Sequence, residues 1–540
     1  MSRTVVIGPP GTGKTSYLIG RIAPDGNVAP GIVLELISQG IEPEQIAFVS
    51  YSRAAVREAR DRVVKCTGID AHRWRNFATL HSAWARRLNL GREAYLTRAD
   101  LKAFASETGY PVSPFDADSD DGETPLGSFS DADLMLRAWD WCRQTMRQVA
   151  DLPWDKLPDG QQIRNVAEIA EAYESWKAAK GKVDHTDIIV QAHRQGLTLD
   201  ATHVLVDEAQ DLSPLQVATL VPTIAAADAV WVVGDPDQAI YSFQGASPAW
   251  IQGLWNQWNR HTLSRSYRCP APVLAAAKQV IERCTDRIDV AYDARSDVGA
   301  YHGACQSTTA IAVARHYVTQ RQSVLMLGRT QASCGNLARL CFDAGLPYRR
   351  TRGSGPDPLG RSTIMRALDT LRLLAARAPV TIVQLTALLE LIPGTGFVVR
   401  GAKRRVAAIE TPTFDYAQAE SVGIAELISK ASRPHDILWR ALPVGPDGRD
   451  ELGWLLAIRN PDGTWPTPLV EVTTFHNAKG READLVVIDP SIPRIIKREL
   501  QRGDANSEHR AAYVALTRAR EACLVLMPEL AKSYNFPRST

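Results

Sequence analysis

Thr4-Val5-Val6-Ile7-Gly8-Pro9-Pro10-Gly11-Thr12-Gly13-Lys14-Thr15 is the stretch on which the reading of this chain turns. Thr4 to Ile7 are apolar or β-branched and leave no room for a helix before the glycines, so they read as a short buried strand. Gly8 through Thr15 satisfy G-x-x-x-x-G-K-[ST], and Ser16-Tyr17-Leu18-Ile19 begins a helical pattern. Strand, glycine loop and helix together are the context of a phosphate-binding loop; a plain glycine turn needs none of that order. Backbone N–H groups of Gly8, Pro9-Pro10-Gly11-Thr12, Gly13, Lys14 and Thr15 (the prolines excepted) would surround a phosphate. Lys14 would reach the β- and γ-phosphates, and the Thr15 hydroxyl would ligate Mg²⁺. The expectation is a bound nucleoside triphosphate.

Around this loop the chain is globular and multidomain: 540 residues, 45% hydrophobic and 23% charged. A net charge of +2 does not by itself point to nucleic acid, so any such site must come from local clusters. Candidates are Arg57/Arg60/Arg62, Arg86/Arg87, Arg349/Arg350/Arg352 and Lys403/Arg404/Arg405, each taken singly more consistent with a solvated face. Eight scattered cysteines contain no C-x-x-C pair, which argues against zinc-finger, iron–sulfur and disulfide frameworks. The most apolar window, Ala218 to Val233, is interrupted by Pro222 and Asp228 and cannot span a bilayer. With the first strand beginning so close to Met1, no signal peptide is expected, and a reduced, soluble, cytoplasmic protein is.

Further apolar strands at Ile46 to Ser50, His203 to Val206 and Ala229 to Val233 alternate with helical patterns, which predicts a parallel α/β sheet with function at the strands' carboxyl ends. A second α/β region starts near His261, with strands at Ser323 to Leu327, Leu469 to Thr473 and Leu485 to Ile488, a helix from Glu508 to Arg520 and a strand from Cys523 to Leu526. Two stretches differ in character. Residues 90–185 are rich in Trp, Ala and Arg and read as a helical insertion; residues 376–465 carry more Pro and Gly and read as a second insertion. In the acidic loop Asp116 to Asp133, the alternation of Asp116, Asp118 and Asp120 suggests calcium, but Gly122 falls one place late and Gly127 stands where a glutamate is needed. A solvated loop is the better reading.

Carboxylates at the end of a buried strand supply the other half of a phosphate-loop site. Asp207 would hold Mg²⁺, and Glu208 would orient and deprotonate the attacking water. Gln238, past another strand end, could contact both the γ-phosphate and that water. Arg268 and Arg518, carried by the second α/β region, would stabilise charge in the transition state and make closure depend on the γ-phosphate.

These residues fall in an ordered series: Gly8–Thr15; Val49-Ser50-Tyr51-Ser52; Thr79-Leu80-His81-Ser82; Val206-Asp207-Glu208-Ala209-Gln210-Asp211; Val233-Gly234-Asp235-Pro236-Asp237-Gln238-Ala239-Ile240-Tyr241-Ser242-Phe243-Gln244; Ser266-Tyr267-Arg268; Thr474-Phe475-His476-Asn477-Ala478-Lys479-Gly480-Arg481-Glu482; Ala512 to Ala519. In that order they resemble the superfamily 1 DNA helicases of the UvrD/Rep/PcrA type across nearly the whole chain. The resemblance implies two RecA-like parallel-sheet motor domains: residues 1–89 with 186–261, and 262–375 with 466–540, interrupted by insertions at 90–185 and 376–465. It implies that Tyr267 stacks on the adenine, Arg268 and Arg518 grip the γ-phosphate, Glu482 contacts the ribose and Gly480 lets the backbone approach the nucleotide. It also places Tyr51, Tyr241 and Phe243 under the bases of a single strand, with Ser50, Thr79, His81, Thr474 and His476 on its phosphates.

Three departures stand out. Seven residues before Gly8 leave no room for the family's glutamine-containing adenine-reading segment. Phe243 replaces the usual tryptophan, and Gln244 the usual arginine after it. Both insertions are short for the family, and no nuclease motif follows Arg518. The expected activity is ATP- and Mg²⁺-dependent translocation on single-stranded DNA with duplex unwinding, 3′ to 5′ by resemblance. Its partners would be single strands, single/double-strand junctions and replication or repair proteins, in an architecture that works as a monomer without a membrane. An RNA helicase, or a translocase that displaces proteins without separating strands, are the alternatives.

Overall fold

The computed structural model describes residues 2–22, 27–113, 130–152, 163–351, 359, 363–392, 396–439, 441–442, 449–460, 462, 464–502, 505–528 and 533–538. The acidic residues weighed for calcium (Asp116 to Gly127) and Arg352 lie outside them.

The valine-rich runs form the predicted parallel sheet. Its strands lie in the order Phe77–Ala78, Ile46–Ser50, His203–Asp207, Ala229–Gly234, Ser2–Ile7 and Asn259–Thr262, every neighbouring pair parallel. Side chains alternate between two cores. Val5, Ile7, Ala47, Val49, Val204, Val206, Val230 and Val232 face one side, and Val6, Ile46, Phe48, Leu205 and Val233 the other. Both faces are covered, which is why these runs are apolar throughout instead of alternating with polar residues. Each of the Val, Ile, Leu and Phe side chains contributes about 1.5–3 kcal/mol of burial. The register sets Ser50 beside Asp207 and Ile7 beside Gly234, so the loops leaving four strands emerge at one edge.

A second six-stranded sheet has the order Tyr348–Arg350, Val470–Thr474, Val324–Gly328, Ala483–Ile488, Ala519–Leu526 and Ala300–Cys305. Val324–Gly328 pairs in parallel with both Val470–Thr474 and Ala483–Ile488. The chain is therefore α/β with two parallel-sheet regions, as the sequence implies. It divides into two compact units, Met1–Tyr301 with Pro493–Ala522 and His302–Ile492 with Cys523–Thr540. The expected boundary at 261/262 falls inside the first unit, which includes Tyr267, Arg268 and Arg518.

Residues 90–185 carry the helices Arg98–Thr108, Asp131–Thr145 and Ile163–Lys180. Phe104, Leu136, Ile169, Tyr173 and Trp176 form a core of their own. In the stretch 376–465, Ile382–Leu391, Ala402–Ala407, Ala425–Lys430 and Arg449–Ile458 are helical.

One helix is shorter than expected. It runs Asn506–Leu516, and the following strand begins at Ala519. Thr517 Oγ1 donates to the carbonyls of Tyr513 and Val514, and Arg518 Nε to that of Val514 at 2.8 Å. These bonds satisfy carbonyls that a helix end leaves open, so the turn stops there and holds Arg518. Among the described residues no helix is long and apolar enough to cross a membrane.

Candidate active site

The phosphate loop is held by its backbone. Gly8 N–H donates to the Gly234 carbonyl at 2.9 Å, and Thr12 Oγ1 to the Pro9 carbonyl at 2.8 Å. Gly11 has φ +73° and Gly13 φ +82°, a region L side chains enter only at a cost. A Cβ on Gly11 would lie 2.5 Å from Arg268 Cβ and 2.9 Å from Ser266 Oγ. The loop thus accepts glycine there for both conformation and space. Lys14 opens the helix Lys14–Ile19 and its ammonium donates to the Gly8 carbonyl at 3.1 Å, 3.8 Å from Glu208 Oε1.

Thr15 Oγ1 lies 3.5 Å from Asp207 Oδ2. Burial, and then the Glu208 carboxylate, push the Asp207 carboxyl up to about 7, against the pull of Lys14. A buried carboxylate so placed, beside a hydroxyl, suits a divalent cation, whose charge would offset both causes. Glu208 sits at φ +52° with its N–H on Asp207 Oδ1 at 3.0 Å, an uncommon conformation for a non-glycine residue. Its side chain accepts a hydrogen bond from Gln210 Nε2, while Gln210 Oε1 accepts the Asp235 N–H at 2.9 Å. A Cβ on Gly234 would stand 2.4 Å from that same Gln210 oxygen. Gln238 donates to Asp235 and accepts from Arg518 Nη2 at 3.3 Å. Arg518 is 1% exposed. Arg268 Nη1 donates to the Thr517 carbonyl at 3.4 Å, Tyr267 N–H to the Gly11 carbonyl at 2.7 Å, and Ser266 Oγ to the Pro10 carbonyl at 2.8 Å. Within one unit, then, the loop, both carboxylates, Gln238 and both arginines converge. The Tyr267 ring is exposed, with the guanidinium carbons of Arg21 and Arg265 each 5.9 Å from its centre.

The aromatic candidates also gather. Tyr51 and Tyr241 stack at 5.4 Å and 22°, and Phe243 meets Tyr241 edge-on at 6.2 Å. Tyr51 OH donates to Gln244 Oε1 at 2.6 Å, so Gln244 fixes a ring of the stack. Phe243 is 43% exposed, which removes core packing as its explanation. A cleft of about 270 Å³ is lined by Tyr51, Thr79, His81 and Gln244, with Asp140, Gln144 and His185 closing it from the helical stretch. Ser50 is buried and its hydroxyl makes no hydrogen bond among the described residues. Thr79 caps the helix Leu80–Arg87 through the Ser82 N–H. Burial, with the nearby His185 and Arg53 charges, lowers the His81 imidazole to about 4, against a weaker pull from Asp184. It is neutral near pH 7, a hydrogen-bonding group and not a cation.

The remaining candidates belong to the second unit. Thr474 and His476 are buried, Thr474 Oγ1 accepts the Asn477 N–H at 3.3 Å, and Glu482 is exposed. Gly480 has φ +80°, so its backbone is one that a side chain would strain. Sequence reasoning assigned no role to Gln210, Asp235, Ser266 or His185. The first three sit inside the quoted motifs, where a buried polar residue at a strand end was the available signal; His185 had none.

Two family models match: the UvrD/REP helicase N-terminal domain over residues 1–258 and the UvrD-like helicase C-terminal domain over 458–528. Curated relatives include the ATP-dependent DNA helicase PcrA of Leuconostoc citreum, 28% identical over 52% of this chain and 37% of its own. DNA helicase II of Escherichia coli is 25% identical over 53% and 39%, and the ATP-dependent DNA helicase UvrD2 of Mycobacterium bovis 27% over 66% and 54%. The chain spans well under two thirds of the length of these relatives.

Proposed function

Because this chain belongs to the UvrD/Rep/PcrA-type helicases, we propose that it hydrolyses ATP to move along single-stranded DNA 3′ to 5′ and to unwind duplex. The observation that carries the reading is the unbroken line of contacts from Lys14 through Glu208, Gln210, Asp235 and Gln238 to Arg518. Lys14 and the loop N–H groups bind the β- and γ-phosphates. Thr15 and Asp207 would hold Mg²⁺, which would supply neutralisation of phosphate charge. Glu208 takes the proton of the water that attacks the γ-phosphorus as the bond to the ADP oxygen breaks. Gln238 orients that water, and Arg268 with Arg518 stabilises the charge that develops. Tyr51, Tyr241 and Phe243 offer faces to successive bases irrespective of sequence, as a tracking protein requires. Gly480 and Glu482 serve the nucleotide, and Ser50, Thr79, His81, Thr474 and His476 the strand's phosphates.

The test is ATP hydrolysis measured with and without a single-stranded DNA oligonucleotide. Wild type is stimulated by the strand. Lys14→Ala and Glu208→Gln each lose on the order of 10²–10⁴ in kcat, Glu208→Gln while still binding nucleotide. Normal hydrolysis by both variants overturns the assignment.

A further inference from the structure

Gln238 and Arg518 lie 280 positions apart, and their 3.3 Å contact depends on how two separate segments are fixed against each other. The loop after the helix Ala271–Ile281 reaches both. On one side Arg287 grips Asp237, the immediate neighbour of Gln238, through Nε at 3.0 Å and Nη2 at 2.8 Å from Oδ2. This pair is largely buried, with side-chain exposures of 16% and 8%. On the other side Asp286 holds the helix that presents Arg518. Its carboxylate accepts from Arg510 Nη2 at 2.8 Å and from Asn506 Nδ2 at 2.7 Å. Farther along the loop, the Tyr292 hydroxyl meets that of Tyr513 at 2.8 Å, both residues buried. Two adjacent residues therefore close a ring: Gln238, Asp237, Arg287, Asp286, Arg510, the helix Asn506–Leu516, Arg518 and back to Gln238.

We propose that Asp286 and Arg287 form a two-sided clamp that sets the spacing of Gln238 and Arg518, with Arg287 a positioning residue for hydrolysis. The inference rests on the hydrolytic roles given above. A planar guanidinium held by two nitrogens fixes orientation as well as distance, which a lysine ammonium does not. Misplacing a transition-state group by an ångström costs about 10²-fold in rate, whereas binding of the ground-state nucleotide does not need that precision.

The experiment compares the full-length wild type with Arg287→Gln, Arg287→Lys, Arg518→Gln and the double variant Arg287→Gln/Arg518→Gln. Single-strand-stimulated kcat is measured beside the Kd of a fluorescent ATP analogue and the thermal midpoint. Arg287→Gln lowers kcat about 10- to 100-fold with Kd within twofold of wild type, and Arg287→Lys recovers part of the loss. The double variant is no slower than Arg518→Gln alone, because Arg287 acts through that arginine. Full additivity of the two losses, a wild-type kcat in Arg287→Gln, or a parallel loss of nucleotide binding overturns the clamp. Where Arg287→Gln unfolds, the milder Asp286→Asn is put through the same cycle with Arg518→Gln and read by the same criteria. Failure of the hydrolytic reading shows differently, as a Lys14→Ala rate equal to wild type.

Discussion

At the scale of single residues, what matters is where ordinary chemistry is pushed out of its usual range. His81 is the clearest case. Its folded imidazole titrates at about 4 against an ordinary value near 6.5, so the fold favours the neutral ring. That contribution is fully present above about pH 6.5 and is lost as pH falls through 4, on the order of 3 kcal/mol at most. Burial is the first cause of the loss; His185 and Arg53 also oppose the charged form, and Asp184 favours it. Urea unfolding of the wild type and His81→Asn between pH 7.5 and 4.5 checks this: the wild type weakens more steeply, and equal slopes refute it. Gly11 is the second case. Gly11→Ala forces a side chain onto φ +73° and against Arg268 Cβ, so it should impair nucleotide binding by at least tenfold while leaving the fold intact. Fluorescent-nucleotide titration measures the change, and unaltered affinity shows that the loop adapts.

Elements were legible in the sequence to the extent that one periodicity governed them. The middles of strands such as Ile46–Ser50 and His203–Asp207 are apolar because both faces are covered, and the strands end at Ser50 and Asp207, two of the expected site residues. The end of the helix Asn506–Leu516 was not legible, since Thr517 terminates it by side-chain bonds that leave no trace in hydropathy. Nor was the charged centre of the helical stretch. Asp140/Arg143 and Glu174/Lys177 are spaced like solvated helix faces, yet they meet around Asp184 and Asp187. Lys177 is 2% exposed and lies 2.6 Å from Asp187 and 2.8 Å from Asp184. Although burial alone would raise it, Arg143 and Lys177 hold the Asp184 carboxyl well below the usual carboxylate range. Removing the ammonium leaves buried carboxylates facing one guanidinium, so Lys177→Met should cost about 3–5 kcal/mol. Differential scanning calorimetry reads this as a lowered midpoint for the first transition; an unchanged thermogram means the cluster relaxes into water.

For the molecule as a whole, the motifs specify parts but not the direction in which the parts work. Lys14, Glu208, Gln238 and Arg518, the proposed hydrolytic residues, lie in one unit, whereas Thr474, His476, Gly480 and Glu482 lie in the other. Polarity is a property of which unit leads along the strand through a cycle, and no residue spacing encodes it. It must be measured on the whole chain. Phe243 supplies the handle, because it is an exposed ring at the edge of the Tyr51–Tyr241 stack. If the stack carries the strand, Phe243→Ala loses about 1–3 kcal/mol of single-strand affinity, roughly 5- to 150-fold in Kd. Hydrolysis without DNA should stay near the wild-type rate, since the Phe243 ring packs on Tyr241 in the stack. Displacement of a labelled strand is then followed on duplexes bearing a 3′ or a 5′ tail. The 3′-tailed substrate should be unwound, the 5′-tailed one left intact, and Phe243→Ala slowed on the former at subsaturating protein. Unwinding from the 5′ tail reverses the polarity, and ATP-driven movement along the strand without displacement leaves a translocase that clears proteins from DNA.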